Sequence, residues 1–111
     1  MQSVAIQAPS LTQNLPTTVT TILAAPSGSA GSIVTAVTFA NKTGGNVTVQ
    51  CSIFNTSIDV YLVFNAIIAP GDTLVLGGGN LKIQLLTGYS LRALCNTAAA
   101  VDVTVSYSNF T

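Results

Sequence analysis

Apolar and polar residues alternate along most of this chain, and the alternation predicts β-strands. It is clearest at residues 46–54 and 101–107, where apolar residues recur at every second position and Asn, Asp, Gln, Ser or Thr stand between them. Successive side chains of a strand point to opposite faces, so such segments have one buried and one exposed face. We predict a half-buried antiparallel strand at each of them.

Other runs of β-branched and aliphatic residues lie between turn signals and predict further strands. They are residues 17–25, 32–41, 58–68, 74–76, 81–85 and 89–95. In the segment 32–41 we expect Ile33, Val37 and Phe39 on one face. No segment has a convincing helical period. The pattern predicts an all-β protein, an antiparallel β-sandwich of about eight strands of immunoglobulin-like or jelly-roll type.

Turn signals predict how these strands are connected. Residues 42–45 end in two glycines and predict a hairpin between the strands on either side. Pro70-Gly71-Asp72 and the glycine-rich residues 77–80 predict tight turns, because proline presets one backbone angle and glycine permits positive φ. Residues 61–93 would then form three consecutive strands, and the rest of the chain would pack onto them.

The segment 58–68 differs from the others because it is apolar on both faces. Tyr61, Val63 and Ile67 alternate with Val60, Leu62 and Phe64. A strand of this kind is either central in a sandwich or has its outer face covered by another subunit. The sequence leaves both interpretations open.

Residues 1–16 have weaker patterning and end in Asn14-Leu15-Pro16, which is typical of a turn or linker. We predict an extended N-terminal arm or linker here, with a frayed terminus or an edge strand as the equal alternative. Residues 17–111 are predicted to form one sandwich domain, since 111 residues suffice for one domain but not for two.

Charge is scarce: 5% of the residues are charged, against about a quarter in ordinary globular chains. Lys42, Lys82 and Arg92 are scattered, so the chain lacks the basic patch of a nucleic-acid-binding protein. We see no secretory signal and no apolar run of membrane-spanning length, and expect synthesis in a cytoplasm and no membrane partner. A net charge near zero favours assembly with other copies or with a partner, because little repulsion keeps proteins apart.

No group of residues predicts a reaction, a metal site or a cofactor. The chain has no histidine, and the spacing of Asp59, Asp72 and Asp102 gives no sign that two of them converge in a cleft. Asp72 lies in a turn, where aspartates usually bind backbone amides, and Asp102 lies on the polar face of the last strand. We predict that the protein is not an enzyme and has no catalytic, cofactor-binding or metal-binding residues.

Cys51 is in phase with the apolar positions of its strand and is interpreted as a small buried hydrophobe. A disulfide between Cys51 and Cys95 is possible if their strands are neighbours, but a reducing cytoplasm disfavours it.

Four Asn-x-Ser/Thr sequences match the glycosylation pattern, and we attribute them to a composition rich in Asn and Thr. They begin at Asn41, Asn46, Asn55 and Asn109.

Three segments follow one another in a recognisable order: TTVTTILAAPSGSAGSIVTAVTFANKTGGNVTVQ, YLVFNAIIAPGDTLVLGGGNLKIQLLTGYSLRA and AVDVTVSY. They contain a Thr-rich strand, a strand that ends in Ala-Asn, a Pro-Gly turn, a Leu-x-x-Gly-Tyr-Ser-Leu segment and a final Val-Asp-Val-x-Val-Ser strand. Over about residues 15–108, the chain resembles small β-sandwich proteins encoded among the structural genes of tailed bacteriophages. The shared features are turn and core signatures, so they identify a fold better than a function.

The resemblance implies a virion component. The leading role that it implies is a decoration or cement protein, which binds the major capsid protein or another virion protein. Trimers are common at capsid three-fold positions, so the resemblance implies a homotrimer. A neck, tail or fibre component is the alternative. A glycan-binding module that uses exposed Tyr61 or Tyr89 is a second alternative, although these residues and Tyr107 fall in strand or strand-edge positions, where packing is the expected use.

Overall fold

The computed structural model describes residues 10–25, 31–77 and 83–110. Nine β-strands and no helix are found in this part of the chain. The strands are β1 (Ser10–Asn14), β2 (Thr20–Ala24), β3 (Gly31–Asn41), β4 (Val47–Phe54), β5 (Asp59–Ile68), β6 (Thr73–Gly77), β7 (Ile83–Leu86), β8 (Ser90–Cys95) and β9 (Val101–Phe110).

The strands form two antiparallel sheets with the core between them. One sheet has the order β1-β9-β3-β6, with β7 also paired to β3, and the other has the order β2-β8-β4-β5. The pairing is nested: β1 with β9, β2 with β8, β3 with β6 and β7, and β4 with β5. A chain paired in this way is one long hairpin rolled up into a jelly roll. The predicted all-β sandwich is confirmed, and the strand order selects the jelly roll from its two predicted types.

The turns predicted at residues 42–45 and at Pro70-Gly71-Asp72 connect the two sheets. Asp72 N donates to Ala69 O at 3.0 Å, and Gly71 has a φ of 71°, as expected for a tight turn. However, β3 and β4 lie in different sheets, and so do β5 and β6. The hairpin predicted at residues 42–45 is therefore wrong. Glycine, proline and aspartate mark where a chain reverses, and they do not determine whether the flanking strands share a sheet.

β6 and β7 also differ from the prediction. β6 pairs with residues 36–40 of β3, β7 pairs with residues 31–34, and both run antiparallel to β3. They therefore run in the same direction, one after the other along one edge, and do not reverse at the glycine-rich residues. Residues 78–82, which include Lys82, lie outside the described part of the chain.

The core consists of side chains from both sheets. Its fully buried large apolar members are Leu15, Val34, Val37, Phe39, Val47, Val49, Leu85, Leu91, Val101, Val103 and Val105. In β3 the alternation correctly placed Val37 and Phe39 inside, but Val34 is buried in place of Ile33. The cause is a β-bulge between Val34 and Ala36 in the pairing with β9, which shifts the alternation by one residue.

Residues 10–16 belong to the sandwich. β1 pairs with β9 from Ser10↔Ser106 to Asn14↔Asp102 and forms the edge of its sheet. Leu15 is fully buried, and its backbone N donates to Val101 O at 2.8 Å. The predicted boundary after residue 16 is corrected accordingly, since the edge-strand alternative describes residues 10–14. The arm stays a prediction for residues 1–9 alone, which lie outside the described residues.

Asn41 joins two connecting loops at one end of the sandwich. Its side chain is buried, and Nδ2 donates to the carbonyl oxygens of Gly45 at 2.8 Å, Ile68 at 3.0 Å and Ala69 at 3.2 Å. Its Oδ1 accepts from Thr43 N at 2.9 Å and from Thr43 Oγ1 at 2.8 Å. The β3–β4 and β5–β6 connections are thereby held together, and the end of β5 is fixed in place.

Candidate interaction surface

Among the described strands, β5 exposes the most large apolar side chains. It pairs with β4 and forms one edge of its sheet. Of the nine large hydrophobic side chains exposed in the described residues, six lie in or next to β5. These six residues, here called the β5 surface, are Ile58 (60% exposed), Val60 (50%), Tyr61 (47%), Leu62 (38%), Phe64 (61%) and Ile67 (69%). The interpretation of this strand as central is wrong, because β5 lies at the edge of its sheet. Cover by another subunit stays a prediction.

Two bulges interrupt the pairing of β5 with β4, one at residues 64–65 and one at Leu62. At the first, Asn65 has a left-handed φ of 53°, and its Oδ1 accepts a hydrogen bond from Gln50 Nε2 at 2.8 Å. Bulges bend a strand and change the direction of its side chains. Leu62 and Phe64, which lie at these two points, are both exposed. The alternation in the sequence carries no signal for either bulge.

A small polar cluster lies beside the β5 surface. The guanidinium carbon of Arg92 lies 3.6 Å from the centroid of the Phe54 ring, and Arg92 Nη1 is 3.6 Å from Asp59 Oδ2. Ser52 Oγ donates to Asp59 Oδ1 at 3.0 Å. The depression between this cluster and Tyr61 has a volume of about 10 Å³, enough for little more than a water molecule. The site can make contacts with another surface, and it cannot enclose a small ligand.

The three acidic residues have separate partners. Asp59 pairs with Arg92, and Asp72 Oδ1 accepts from Thr73 N at 2.9 Å, as expected for an aspartate in a turn. Asp102 accepts hydrogen bonds from Asn14 Nδ2 and from Lys42 Nζ, both at 3.0 Å. These bonds, that from Asn14 first, hold the pKa of Asp102 below its ordinary value.

An open groove of about 440 Å³ lies beside Asp102, lined mainly by polar residues of β1 and β9. Within the described ranges, no three His, Cys, Asp or Glu side chains come together as a metal site would require. Nor does any described segment form a helix that could cross a membrane.

Both cysteines are buried and carry free thiols. Their strands are neighbours, as a disulfide would require, but Cys51 lies opposite Ala93 and Cys95 lies opposite Val49. Burial raises the pKa of the Cys51 thiol to about 12, which makes this thiol unreactive at neutral pH. Cys95 Sγ donates to Leu15 O at 3.3 Å. The burial of Cys51 agrees with its interpretation as a small buried hydrophobe.

The tyrosines have different environments. Tyr61 is exposed and packs edge to face with Phe64, with ring centroids 4.9 Å apart. Tyr89 and Tyr107 are partly buried against the core. Packing is therefore the use that the structure shows for two of the three rings.

The Asn-x-Ser/Thr sequences also differ in exposure. Asn41 is only 2% exposed and uses its amide within the fold, so it cannot accept a glycan in the folded protein. Asn46 is exposed, Asn55 is partly exposed, and the side chain of Asn109 lies outside the described part.

No protein-family model and no curated protein sequence matches the chain. Among solved structures, it is similar to a pentameric capsid protein isolated from metagenomic phage sequences, in two structures with a TM-score of 0.49 and 18% identity. The likeness covers 97% of this chain but only 65% and 63% of the two capsid chains, so this chain spans less than two thirds of their length.

The chain is also similar to a protein of Bacillus endospore appendages, which form disulfide-linked pili. The TM-score is 0.50 and the identity 15%, over 100% of this chain and 92% of the appendage chain. At this identity the likeness shows a shared fold alone.

Proposed function

We propose that the protein is a non-enzymatic structural component of a bacteriophage virion, and most specifically a decoration (cement) protein that binds and stabilises the head shell. The observation that carries this proposal is the β5 surface, six exposed apolar side chains along one edge of a domain with only 5% charged residues. Exposed apolar patches mark surfaces that other proteins cover. The choice of a virion as the setting comes from the three segments that resemble small phage β-sandwich proteins.

A protein of this kind works mechanically. Burial of apolar surface contributes about 25 cal/mol per Å², from which the cost of ordering both partners is subtracted. A domain in contact with two neighbouring capsomers, through the major capsid protein, holds both and resists their separation under the pressure of a packaged genome. A homotrimer would make such contacts around a three-fold position of the shell.

The electrostatics of the described residues suit a protein partner. Lys42 pairs with Asp102 at 3.0 Å, and Arg92 lies beside Asp59 at 3.6 Å. Both cations on the described surface are thus balanced by a carboxylate, whereas binding to nucleic acid requires uncompensated positive charge. Because only 5% of the residues are charged, apolar and neutral polar contacts are the means of binding.

The proposal is tested by co-sedimentation of the purified chain with phage heads assembled without it. We expect a fixed number of bound copies per head, and heads that carry the chain should stay intact at higher temperature than bare heads. The absence of binding at concentrations of about 10 μM, well above the dissociation constants of stable complexes, would overturn the cement role. Electron microscopy of whole particles then decides between the head and the alternative of a neck, tail or fibre position.

The same assay tests the N-terminal arm. Residues 10–14 form β1 and Leu15 is in the core, so the deletion must stop at residue 9 to leave the sandwich intact. If the arm reaches onto a neighbouring subunit, removal of residues 1–9 weakens binding to heads and leaves the thermal unfolding of the chain unchanged. Unchanged occupancy on heads would contradict the arm.

A glycan-binding module is the second candidate, because Tyr61 and Phe64 are exposed together next to Gln50 and Asn65. Aromatic faces with amide groups beside them can stack on and hydrogen-bond to sugars. A glycan array separates the two functions. Binding to a defined sugar that is lost in Tyr61→Ala would favour the module, and an array without binding removes it.

A further inference from the structure

The β5 surface is large enough to be the centre of a stable contact. Its six side chains are between 38% and 69% exposed. Tyr61 lies opposite Ser52 and Val60 lies opposite Ile53, so the side chains flank the edge on both faces of the sheet. Together they present on the order of 500 Å² of apolar area, comparable to the largest patch on a typical monomer, roughly 300–600 Å². One partner in a standard interface buries about 800 Å², so the patch supplies more than half of that area. Such a surface is unfavourable in water and remains so until a partner covers it.

The charges beside the patch indicate what kind of partner fits. Among the described residues, Asp59 and Arg92 are the charged groups at its border, and their side chains are only 26% and 27% exposed. They neutralise each other, so nothing there attracts a nucleic acid or an anionic lipid surface. The matching partner is itself nearly uncharged where it makes contact. This chain, with three cationic and three acidic residues in 111, is a surface of that kind.

The bulges of β5 indicate how the contact is made. An edge strand with regular geometry can add strands from further copies without limit, which leads to fibres. β5 is interrupted at Leu62 and at residues 64–65, and bulges there twist the edge and disturb its hydrogen-bonding groups. Contact through the exposed side chains is therefore favoured over strand addition.

An exposed apolar edge strand also promotes aggregation of any chain that is free in solution. A second copy of the same chain is the partner that is always present where this chain is made, and at the same concentration. We infer that the β5 surface is covered by the β5 surface of neighbouring copies, in a small closed oligomer whose β5 strands meet near its symmetry axis. In such an oligomer the β5 surface is used between copies, so the contact with a phage head, which is the proposed function, is made by the remaining surface. The inference itself concerns self-association and does not depend on that second contact.

The test compares the solution mass of three proteins by light scattering over a dilution series. They are the wild-type chain, the double variant Phe64→Thr/Ile67→Thr, and Val75→Thr as the matched control. Threonine keeps the β-propensity of each position and removes most of the apolar contact. Val75 is 54% exposed on β6, in the other sheet, so its replacement changes a similar side chain outside the patch.

We expect a wild-type oligomer of fixed mass, a control variant with the same mass, and a double variant whose dissociation constant is raised roughly 100-fold. Two results would overturn the inference. One is a wild-type chain of 11.3 kDa at every concentration up to about 1 mM. The other is a double variant with the mass and the dilution behaviour of the wild type.

Chemical crosslinking keeps the inference testable if the double variant folds poorly. A short bismaleimide should join Phe64→Cys chains covalently into pairs and should leave Val75→Cys chains single. Cys51 and Cys95 are buried and do not compete for the reagent. Crosslinks through position 75 but not position 64 would place the interface elsewhere and overturn the inference.

Discussion

At the level of single residues, buried polar side chains shape this structure more than its few charges do. Buried polar residues are Ser32, Asn41, Ser52 and Ser90. In the described part of the chain, no buried side-chain nitrogen or oxygen lacks a hydrogen-bond partner. Because an unpaired polar group in the interior is costly, each of these residues specifies one arrangement of the backbone around it.

Asn41→Ala should be among the most destabilising changes of a polar residue. It leaves the carbonyl oxygens of Gly45, Ile68 and Ala69 without their donor and removes the acceptor for Thr43. We expect a loss of about 3 kcal/mol in the free energy of unfolding, measured by denaturant titration.

Asn46→Ala is the matched control for this variant, because Asn46 is an exposed asparagine in the same connection. Its effect should stay within about 0.5 kcal/mol. Equal stabilities of the two variants would show that the hydrogen bonds of Asn41 do not hold the loops together.

At the level of elements, the sequence predicted most of the strands but not their partners. Alternation locates a strand such as β4 or β9 because the period of two is a local property. The pairing of β1 with β9 joins residues that are far apart in the chain, and it leaves little trace in one sequence. Bulges are missed for a related reason: the shift at Val34 moves the buried phase of β3 without any change in residue type.

For the β5 surface too, the local pattern was readable from the sequence and the strand order was not. The two apolar faces of β5 were visible in the sequence, and covering by another subunit was one of two interpretations. Which interpretation applies depends on whether the strand is central or at an edge, and this is decided by the order β2-β8-β4-β5. Local pattern therefore identified the residues of the surface, and topology decided their exposure.

Gly31 fixes the start of β3 against β7, and its replacement tests that close approach. It has a φ of 143°, and a Cβ there would overlap the carbonyl oxygen of Leu85. Gly31→Ala should lower the free energy of unfolding by about 3 kcal/mol, since neither backbone can move without breaking the pairing.

The control for this prediction is Gly44→Ala, where a Cβ would meet nothing within 4 Å. A neutral effect within about 0.5 kcal/mol is expected. If both alanine variants were as stable as the wild type in thermal unfolding, β3 and β7 would not approach each other closely at Gly31.

At the level of the whole molecule, stability should depend little on pH. The chain has no histidine and only three acidic residues. The folded state lowers the pKa of Asp102, so this carboxylate favours folding above the ordinary aspartate pKa of about 3.9, and its contribution is lost as the pH falls through the lowered value. We expect the free energy of unfolding to change by less than about 1 kcal/mol between pH 5 and 8. A steep change in that range would reveal a titrating group that the described contacts do not contain.

The central claim is that the protein works by contact and that β5 makes the contact. Hydrogen–deuterium exchange tests it most directly, with dilute chain compared with concentrated chain and with chain bound to heads. We predict that amides of residues 58–68 exchange more slowly in an assembled state, while β1, at the edge of the other sheet, serves as an internal reference. Equal exchange of residues 58–68 in all three states, with protection appearing elsewhere in the chain, would contradict the account.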